Sequence, residues 1–512
     1  MSEKLKVPQG WWRVELGDVL LDVVGGGTPS RKLPAYFDGS IPWFTVKDMK
    51  VLKPTDAEEH ITESAIADSA TNLIAANTLI VATRIYLGRA IRPTVACAIN
   101  QDLKALILGM GMDANFLLYW IGANERVIQS LGSGTTVSGI RLEALHTLPL
   151  ILPPSVEQTR IVEKLEELLS DLDAGVAELK TAQKKLGQYR QSLLKAAVDG
   201  ALTAEWRKQH KPEESGTQLL QRILQQRRAR WQAKQLAKFT EQGKSPPKDW
   251  QAKYSEPAVP ETTNMPELPK GWVWASAEQL CDFITKGTTP PKEMNGSSEK
   301  VIPFLRVTNL TADGDLDLRD KVFVSEETHR RFLARSAVFP GDVLMNIVGP
   351  PLGQVSVVPE IFAEWNINQA IAIFRAVDGV LPSFICHYLL SPTAQRWFKA
   401  RAKTTAGQAN LTLETCRSLP IPLPPKSEQQ ELVDALAVSV SGISAQELAI
   451  QHGLKQSAAQ HKNILKAAFS GQLVPQDPND EPASVLLERI RNERAAREKS
   501  KPGKSSRRVA HA

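Results

Sequence analysis

Residues that could carry out chemistry are scattered along this 512-residue sequence and form no recognisable catalytic set. Two strings, Gly243-Lys244-Ser245 and Gly503-Lys504-Ser505, look like the end of a phosphate-binding loop, but both lack the glycine required five residues upstream. The histidines are isolated from one another, and the four cysteines lack the CxxC spacing that holds zinc. A chain of this length without a catalytic set is expected to work through binding and geometry.

Side chains suited to binding nucleic acid lie in loops that contain glycine, serine and threonine. Arginine, lysine, asparagine and glutamine can read base edges in the major groove, while threonine hydroxyls and backbone amides hold phosphates. Ordinary solvated loops have the same composition, so a surface position without function is the alternative for each residue. The predicted DNA contacts are Thr28, Lys47, Arg84, Tyr86, Arg89, Thr135, Thr136, Thr288, Arg306, Asn309, Asn346, Gln354, Lys403, Thr404 and Thr405.

The elements that must position these loops occur twice in the chain. The proline-stopped apolar segment 148–154 returns at 419–425, and a Glu-Gln pair follows each copy at 157–158 and 428–429. Further strings recur in the same order, which is the signature of a repeat. They are Pro-x-Gly-Trp at 8–11 and 269–272, Ile-Pro-aromatic at 41–43 and 302–304, Ile-Asn-Gln at 99–101 and 367–369, and Leu-Lys-Ala-Ala at 194–197 and 465–468.

Each copy predicts the same succession of elements. Short β-rich runs such as 78–83 and 103–108 alternate with glycine and proline, which indicates strands and loops. Short helices are expected over 115–123 and 383–390. The predicted fold class is α+β, with two similar mixed α/β domains joined and followed by long antiparallel coiled-coil helices in an internal duplication.

After Pro154 the apolar residues recur in steps of three and four, as in a heptad seam with one stutter. No proline occurs from Ser155 to Leu202, so one helix of about 45 residues and about 65–70 Å is expected. A lone helix would expose its apolar stripe, so the two long helices should pack together. The predicted packing residues are Ile161, Leu165, Leu168, Leu172, Leu179, Leu186, Leu193, Leu432, Leu436, Ile443, Ile450 and Ile464.

Each long helix is followed by a second, arginine-rich helical pattern, which we interpret as a solvated face or a partner surface, with DNA contact as the alternative. The proline-dotted segment between the copies is expected to be extended and mobile, and the basic tail is expected to be disordered. The predicted organisation is a first domain (1–154), central spacer helices (155–240), a proline-rich linker (241–267), a second domain (268–425), distal spacer helices (426–498) and a basic tail (499–512).

The overall composition sets few limits on function. Lysine and arginine number 62 against 56 acidic residues, and a net charge of +6 neither demands nor excludes nucleic acid. The N-terminus lacks the apolar region of a secretory signal. No run of about 18 apolar residues occurs, so a cytoplasmic protein without a membrane segment is expected.

Taken in order, these strings resemble the specificity subunit of type I restriction–modification systems. The resemblance covers nearly the whole chain. It is carried by the Pro-x-Gly-Trp starts, the Ile-Pro-aromatic segments, the Leu-Pro-x-x-Leu-Pro-Pro stops, the Glu-Gln pairs and the Leu-Lys-Ala-Ala helix ends. It also rests on the Gly-Thr-Pro loops, which are Gly27-Thr28-Pro29 in the first copy and Gly287-Thr288, with an extra threonine before Pro290, in the second.

The resemblance implies a non-catalytic DNA-recognition subunit. Each of its two target recognition domains would read one half of a split, asymmetric site, and the helices would set the gap between the halves. The partners implied are double-stranded DNA, two methyltransferase (modification) subunits and two restriction (motor–nuclease) subunits. No cofactor is expected on this chain, because S-adenosylmethionine, ATP and magnesium would belong to those partners.

Two other interpretations stay open at the level of sequence. A self-contained methyltransferase or nuclease would bind the methyl donor itself, but the nearest candidate for its amine-holding loop, Val348-Gly349-Pro350-Pro351-Leu352, lacks the required polar and aromatic residues. A coiled-coil scaffold with no role on DNA would explain the helices alone. It predicts that neither domain binds duplex DNA, even when its partners are present.

Overall fold

A computed structural model describes residues 7–133, 139–263, 265–291, 300–311, 313–405 and 407–500. The chain divides into two compact units, one formed by the part up to Lys180 together with the part from Gln451 onward, the other by Thr181–Ile450. Each unit combines one mixed α/β domain with parts of both long helices. The predicted α+β class is confirmed.

The first domain begins and ends with strands that pair with each other. Its strands are β1 (Trp12–Glu15), β2 (Leu20–Gly25), β3 (Ile41–Phe44), β4 (His60–Ile61), β5 (Leu73–Ile74), β6 (Leu79–Ala82), β7 (Ala90–Ile91), β8 (Cys97–Ile99), β9 (Leu103–Leu108) and β10 (Pro149–Leu152). Its helices are α1 (Glu63–Ala67), α2 (Ala114–Ala123), α3 (Glu125–Ser130) and α4 (Leu142–His146). β1 pairs with β10, and the sheets have the orders β2-β9-β6-β7 and β4-β3-β8-β5.

Strand β6 is apolar along its whole length because both of its faces are covered. Leu79 and Val81 enter one core cluster, whereas Ile80 and Ala82 enter another, as the alternation of side chains along a strand requires. A strand buried on both faces holds its ends firmly. The turn that follows β6 is therefore presented at the surface from a rigid base.

The remaining elements follow in chain order. Three helices precede the second domain, α5 (Ser155–Val198), α6 (Ala204–Gln209) and α7 (Gly216–Glu241). The strands of the second domain are β11 (Val273–Ser276), β12 (Cys281–Lys286), β13 (Lys300–Leu305), β14 (Val322–Ser325), β15 (Val343–Asn346), β16 (Val355–Val357), β17 (Asn366–Ile367), β18 (Ile371–Ala376), β19 (Lys403–Thr405), β20 (Gln408–Asn410) and β21 (Pro420–Leu423). Its helices are α8 (Ala277–Leu280), α9 (Glu326–Arg330), α10 (Pro382–Leu390), α11 (Pro392–Arg401) and α12 (Leu413–Arg417), and α13 (Lys426–Phe469) and α14 (Ala483–Ser500) follow it.

The second domain repeats the architecture of the first. The sheet β12-β18-β15-β16 has the order of β2-β9-β6-β7. β13 runs parallel to β17, as β3 does to β8, and β11 pairs with β21 as β1 does with β10. The duplication inferred from short strings is therefore a duplication of the fold.

The two long helices, α5 and α13, contain 44 residues each, or about 66 Å at 1.5 Å per residue. Each is followed by a glycine in the left-handed conformation, Gly200 (φ +70°) and Gly471 (φ +71°), which is the usual stop for a helix. α13 is long and apolar enough to cross a membrane by length and composition alone, and it is the single such helix in the described part of the chain.

In each unit the start of one long helix packs with the end of the other, as expected for antiparallel helices. Ile161 and Leu165 near the start of α5 cluster with Ile464 near the end of α13 in the first unit. Leu194 near the end of α5 clusters with Leu432 near the start of α13 in the second. The predicted packing residues of the seam are buried or half-buried; the half-buried ones are Leu168, Leu172, Leu179, Leu186 and Leu193.

The Glu-Gln pairs attach each domain to its long helix. Glu157 Oε2 accepts a hydrogen bond from Trp11 Nε1 at 2.9 Å, and Glu428 Oε2 accepts one from Trp272 Nε1 at 2.8 Å. Both glutamates are 1% exposed. The Pro-x-Gly-Trp start of each copy is therefore bonded to the helix that ends the same domain.

The neighbouring glutamines form a second attachment. Gln158 Oε1 accepts from the backbone N–H of Asp113, and Gln429 Oε1 accepts from that of Leu381, both at 2.9 Å. Each glutamine also donates to a proline carbonyl at 3.1 Å. Two adjacent side chains thus hold one end of a domain in a fixed orientation on its helix.

The second helices of the repeats pack on the domains rather than standing free. Arg494 of α14 donates to the carbonyl oxygens of Gly17 and Asp18 at 2.7 and 3.0 Å. Arg227 of α7 donates to those of Glu278 and Cys281 at 2.8 and 2.6 Å. The expectation of a solvated face therefore does not hold for Arg227 and Arg494, whereas Arg228, Arg230 and Arg491 of the same helices are exposed.

The linker between the copies is not simply extended. A 3-10 turn at Trp250–Lys253 places Trp250 against Trp231 of α7, with ring centroids 5.9 Å apart and planes 16° apart. Tyr254 also packs on the Trp231 ring, with the ring centroids 5.3 Å apart. Its proline content predicted an extended segment, but the aromatic residues attach this part of it to α7. The basic tail from 501 onward lies outside the described residues.

Candidate nucleic-acid interface

A cleft of about 370 Å³ opens on the first domain. Four loops form it: those after β2 and β3, the turn between β6 and β7, and the loop between β8 and β9. Thr28 and Lys47 of the predicted contacts line it directly. Its other lining residues are Arg31, Trp43, Thr45, Val46, Asp48, Glu58, Glu59, Ile85, Asn100, Gln101 and Asp102.

The Gly-Gly-Thr-Pro loop lies against the β8–β9 loop at the edge of this cleft. A Cβ atom at Gly26 would lie 2.0 Å from the carbonyl oxygen of Asn100, so only glycine fits there. The Gly27 N–H donates to the carbonyl of Ile99 at 2.9 Å. This close approach brings the Thr28 hydroxyl to Gln101 Oε1, to which it donates a hydrogen bond.

The second domain has the same contact between a threonine and a glutamine, but the threonine is the residue after the predicted one. A Cβ atom at Gly287 would lie 2.2 Å from the carbonyl oxygen of Ile367. Thr289, and not the predicted Thr288, donates its hydroxyl hydrogen to Gln369 Oε1. The gap-free correspondence is therefore Gly26-Gly27-Thr28-Pro29 with Gly287-Thr288-Thr289-Pro290, and Thr289 takes the position of Thr28.

The β6–β7 turn carries three predicted contacts, and all three are exposed. The side chain of Arg84 is 59% exposed, and its guanidinium lies 3.9 Å from Asp102 Oδ1, beyond hydrogen-bond distance. The Arg89 guanidinium lies over the Tyr86 ring at 4.4 Å, a stabilising cation–π contact. Ile85, with φ +67°, turns this loop toward the cleft.

Lys47 lies on a 3-10 turn, Val46–Asp48, which Thr45 caps. Asp48 holds the turn by accepting hydrogen bonds from the Thr45 N–H and hydroxyl at 2.7 and 2.8 Å. Its other oxygen accepts from the Glu58 N–H at 2.9 Å. The carboxylate is thus used within the loop, whereas the Lys47 side chain is exposed at the cleft.

The cleft carries both signs of charge. Arg31 donates two hydrogen bonds to Glu59, at 2.8 and 2.6 Å, and lies 4.3 Å from the Phe37 ring. These hydrogen bonds hold the pKa of Glu59 below its usual range. The Arg31 guanidinium can donate to a base edge, and the Glu59 carboxylate can accept from one, only if part of the bond between them is broken. Arg84 and Lys47 have no such competing hydrogen bond in the described structure.

Two predicted contacts in the second domain are framework residues. Asn346 is fully buried, donates to the carbonyl of Pro351 and accepts from the Val348 N–H at 3.1 Å. Asn309 is 3% exposed and donates to the carbonyls of Asp317 and Asp320 at 2.9 and 3.2 Å. Their burial and these hydrogen bonds show that their amides hold loops together, which argues against the predicted base contacts.

The other predicted contacts of the second domain are accessible to different degrees. Arg306 pairs with exposed Asp320 at 2.6 Å. Gln354 is half-buried on the β15–β16 loop, while Lys403 and Thr404 of the hairpin strand β19 are exposed. Thr405 pairs through its backbone with Gln408, and its side chain lies outside the described part of the chain.

In each domain a later segment of the chain makes backbone contacts with the loop that follows β6 or β15. Gly349 donates its N–H to the carbonyl of Ala409 in β20 at 2.8 Å. In the first domain Ser133 and Gly139 exchange two backbone hydrogen bonds, and Gly139 forms a bridge with Arg84. The predicted contacts Thr135 and Thr136 lie between them, outside the described residues.

Sequence reasoning missed several residues at these loops. Gln101 and Gln369 were seen only as parts of a repeated Ile-Asn-Gln string, although they make the same threonine contact in both domains. The recurrence of this glutamine in both copies of the repeat was the sequence signal that could have identified it. Arg31 and Glu59 carry no such signal in the sequence, because they pair only when two separate segments of the chain come together in the fold. In the ranges described above, no group of His, Cys, Asp and Glu could hold a metal ion.

Comparison with known proteins matches both copies of the repeat to one family. The family described as type I restriction modification DNA specificity domain matches residues 8–181 and 269–452. The EcoDI type I restriction enzyme specificity subunit of Escherichia coli is 23% identical over 506 residues, which cover 96% of this chain and 97% of that subunit. The EcoBI specificity subunit, also of Escherichia coli, is 28% identical over 377 residues, 71% of this chain and 68% of that subunit.

A solved structure shares the fold. A chain from a study of complex assembly and conformational transition in the type I R-M system superposes with a TM-score of 0.62 at 18% identity. The superposition covers 91% of this chain and 99% of that chain.

Proposed function

This chain belongs to the type I restriction–modification DNA specificity family, and from that premise we propose that each of its two domains reads one half of a split, asymmetric DNA site. The domains share strand order and framework contacts, while their loops differ in length and residue type. Such domains would dock on the duplex in similar ways and read different bases.

The observation that carries this proposal is the convergence of predicted contacts on the cleft of the first domain. Thr28 and Lys47 line it, and the exposed Arg84 borders it beside Asp102. Arginine can bind guanine O6 and N7 with two hydrogen bonds, which discriminates between base pairs. We assign base reading in the first domain to Arg84, with Tyr86 and Arg89 supporting the shape of its loop.

The paired threonines and glutamines suit a different task. Thr28–Gln101 and Thr289–Gln369 make the same contact in both domains, although the two domains would read different bases. A contact common to both is better suited to the phosphate backbone, which is the same in every sequence. Lys47 in the first domain and Lys403 and Thr404 in the second are further candidates for backbone contact.

The long helices would set the gap between the half-sites. Each domain is attached through a buried glutamate to the first turn of one helix, Glu157 on α5 and Glu428 on α13. Each helix extends for 44 residues, about 66 Å, against about 34–36 Å for one turn of DNA. A pair of helices packed along an apolar seam is stiff enough to act as a ruler.

The chemistry would belong to partner subunits. The relatives named above are specificity subunits of type I restriction enzymes. We infer that this chain is non-catalytic and directs two methyltransferase subunits and two restriction subunits to its site. S-adenosylmethionine, ATP and magnesium would be bound by those partners, and the complex would act on DNA in the cytoplasm.

The test is to map DNA methylation in a host with and without this chain, while its partner subunits are kept. We expect a split motif with a fixed gap to lose methylation when the chain is absent. Unchanged methylation would refute the proposal and favour a scaffold. Binding of the methyl donor by the purified chain alone would instead indicate a self-contained methyltransferase.

A further inference from the structure

A buried charge lies in the apolar seam of the long helices in the second unit. Arg190 of α5 is 7% exposed. Its guanidinium donates to Glu447 Oε2 at 3.0 Å and to Ser444 Oγ at 3.3 Å, both on α13. It also pairs with the carboxylate of Asp313, in a loop of the second domain. One side chain therefore contacts both the opposite helix and the domain.

Arg190 replaces an apolar residue at a position where one would pack well. The seam residues on either side of it along α5 are Leu186 and Leu193, and the buried seam residues on either side of its partners along α13 are Ile443 and Ile450. A buried ion pair usually contributes no more stability than apolar residues of similar volume. Its distinct effect is to favour one arrangement of the helices, as polar residues in coiled-coil seams do.

The sequence of α13 shows why the native register is the one that gives Arg190 a carboxylate partner on α13. A slip of one heptad would replace Glu447 by Val440 or Leu454 as its neighbour. Neither side chain can accept a hydrogen bond, and Ser444 would be replaced by Ala437 or Gln451, so the guanidinium would lose its charged partner on α13 in either slip. Removing the partner of a buried charge is strongly destabilising, whereas exchanging one apolar residue for another of similar volume usually costs much less. The apolar residues of the seam discriminate less, since one leucine can replace another.

We propose that Arg190 is a positioning residue that fixes the register of α5 on α13, and thereby the gap that the protein selects. Because each domain is attached to the start of a different long helix, a change of register would change the separation of the two attachment points. This inference rests on the proposed function. It assigns the gap to a particular side chain rather than to helix length alone.

The first unit also has a charged contact between its domain and α5, but this contact does not link α5 to α13. Lys53, in a loop of the first domain, bonds to Glu166 of α5 at 2.6 Å. Tyr119 donates to the same carboxylate at 3.4 Å. The Lys53 and Glu166 side chains are 34% and 40% exposed, and this cluster reaches no residue of α13 in the contacts described. It attaches the domain to one helix and leaves the register of the pair unspecified.

The experiment measures gap selectivity in the complete complex. Methylation rates are compared on duplexes that carry both half-sites separated by the preferred gap or by one base pair more or less. Arg190→Met keeps a flexible, unbranched side chain without the charge. Arg190→Met with Glu447→Leu removes both charges of the helix pair and leaves only the Asp313 carboxylate, which is 42% exposed, without this partner. Lys195→Met is the matched control, because Lys195 lies on α5 and pairs with Asp199 of the same helix.

We expect both Arg190 variants to lose selectivity for the preferred gap by about twofold to tenfold, which corresponds to the lower half of the range of coupling energies between contacting residues. Half-site sequences should be read as before, and Lys195→Met should match the wild type. A structural role alone would lower the yield of folded complex without changing the ratio of rates on the different gaps.

Cross-linking reports the register independently. A Cβ atom at Gly453 would lie 3.2 Å from Leu179 Cδ1, so Leu179→Cys with Gly453→Cys should cross-link in the native register. The cysteines of the described chain are all buried and should not compete. Adding Arg190→Met should lower the yield.

Unchanged gap selectivity together with unchanged cross-linking would overturn the inference and leave the proposed function intact. A wild-type complex with no preferred gap would instead refute both.

Discussion

Replacing the buried glutamate at the start of each long helix should affect the two repeats differently. Glu428 and Glu157 are both 1% exposed, and both accept a hydrogen bond from a tryptophan N–H. Glu428 also pairs with Arg207 at 2.6 Å. The other oxygen of Glu157 accepts only from a neutral amide among its hydrogen bonds, that of Gln476 at 3.3 Å.

Because Glu428 has a charged partner and Glu157 has only neutral hydrogen-bond donors, the two substitutions should differ in how much they lower the free energy of unfolding. Glu428→Gln leaves Arg207 without its counter-charge. Breaking a buried pair costs about 3–5 kcal/mol, and the 21% exposure of the Arg207 side chain reduces the expected cost to about 2–3 kcal/mol. For a unit of this size the midpoint of thermal unfolding should fall by about 4–12 °C. Glu157→Gln should change the free energy of unfolding by about 1 kcal/mol or less, because the acceptor for tryptophan is kept.

The pH dependence separates the two variants further. Burial raises the pKa of Glu157 above its ordinary value, more than the hydrogen bonds from Trp11 and Gln476 lower it. A carboxyl group with a raised folded-state pKa stabilises the fold fully below its unfolded pKa, and this contribution is lost as the pH rises through the folded pKa. Relative to wild type, Glu157→Gln should therefore gain stability as the pH rises from 4 toward neutrality.

The assay is thermal unfolding of the full chain followed by circular dichroism between about pH 4 and 8, the interval that contains ordinary and raised carboxyl pKa values. Glu163→Gln, at an exposed position of α5, controls for the loss of one negative charge. Equal destabilisation by the two buried substitutions, with the same pH profile, would show that Arg207 has no special role. The reasoning from charge pairing would then be wrong.

Three further changes test the assignments on the DNA side. Arg84→Ala should relax reading of one position in one half-site by about 1–3 kcal/mol; an unchanged base preference in a binding assay would refute the assignment. Asn346→Ala should destabilise the second unit by about 2–3 kcal/mol, because it leaves buried loop groups unbonded, without changing the bases read by the folded protein. Altered base preference would contradict its framework role. Removing one heptad from both α5 and α13 should shift the preferred gap by about three base pairs, since seven residues span about 10.5 Å and a base pair about 3.4 Å. Methylation of a gap library that still favours the original spacing would refute the ruler.

The parts of the fold that depend on local pattern could be predicted from sequence. The heptad seam after Pro154 predicted one helix of about 45 residues, and α5 has 44. Its end near Gly200 follows from the left-handed conformation that glycine tolerates. The repeated Glu-Gln pairs predicted a duplicated architecture, although their bonds to tryptophan and to backbone amides are visible only in the structure.

Contacts between distant loops could not be predicted. Asn346 and Asn309 have the residue type and loop position of a base-reading side chain. Their amides are instead bonded to loop carbonyls, and the sequence carries no sign of which oxygen lies nearby. The same limit applies to Arg494, whose carbonyl partners are 476 and 477 positions away in the chain. Residue type describes what a side chain can bind, but only the fold supplies the partner.

This limit explains why a net charge of +6 says little about binding. Arg227 and Arg494 are bonded to carbonyl groups that end short turns, and Arg31 is bonded to a carboxylate, so these cations serve the structure. Arg84 is more than half exposed and beyond hydrogen-bond distance of Asp102. The positive charge that a ligand can contact is therefore carried by the arginine and lysine side chains that have no strong hydrogen bonds within the protein. In the first domain Arg84 is such a cation, on the β6–β7 turn where base reading is proposed.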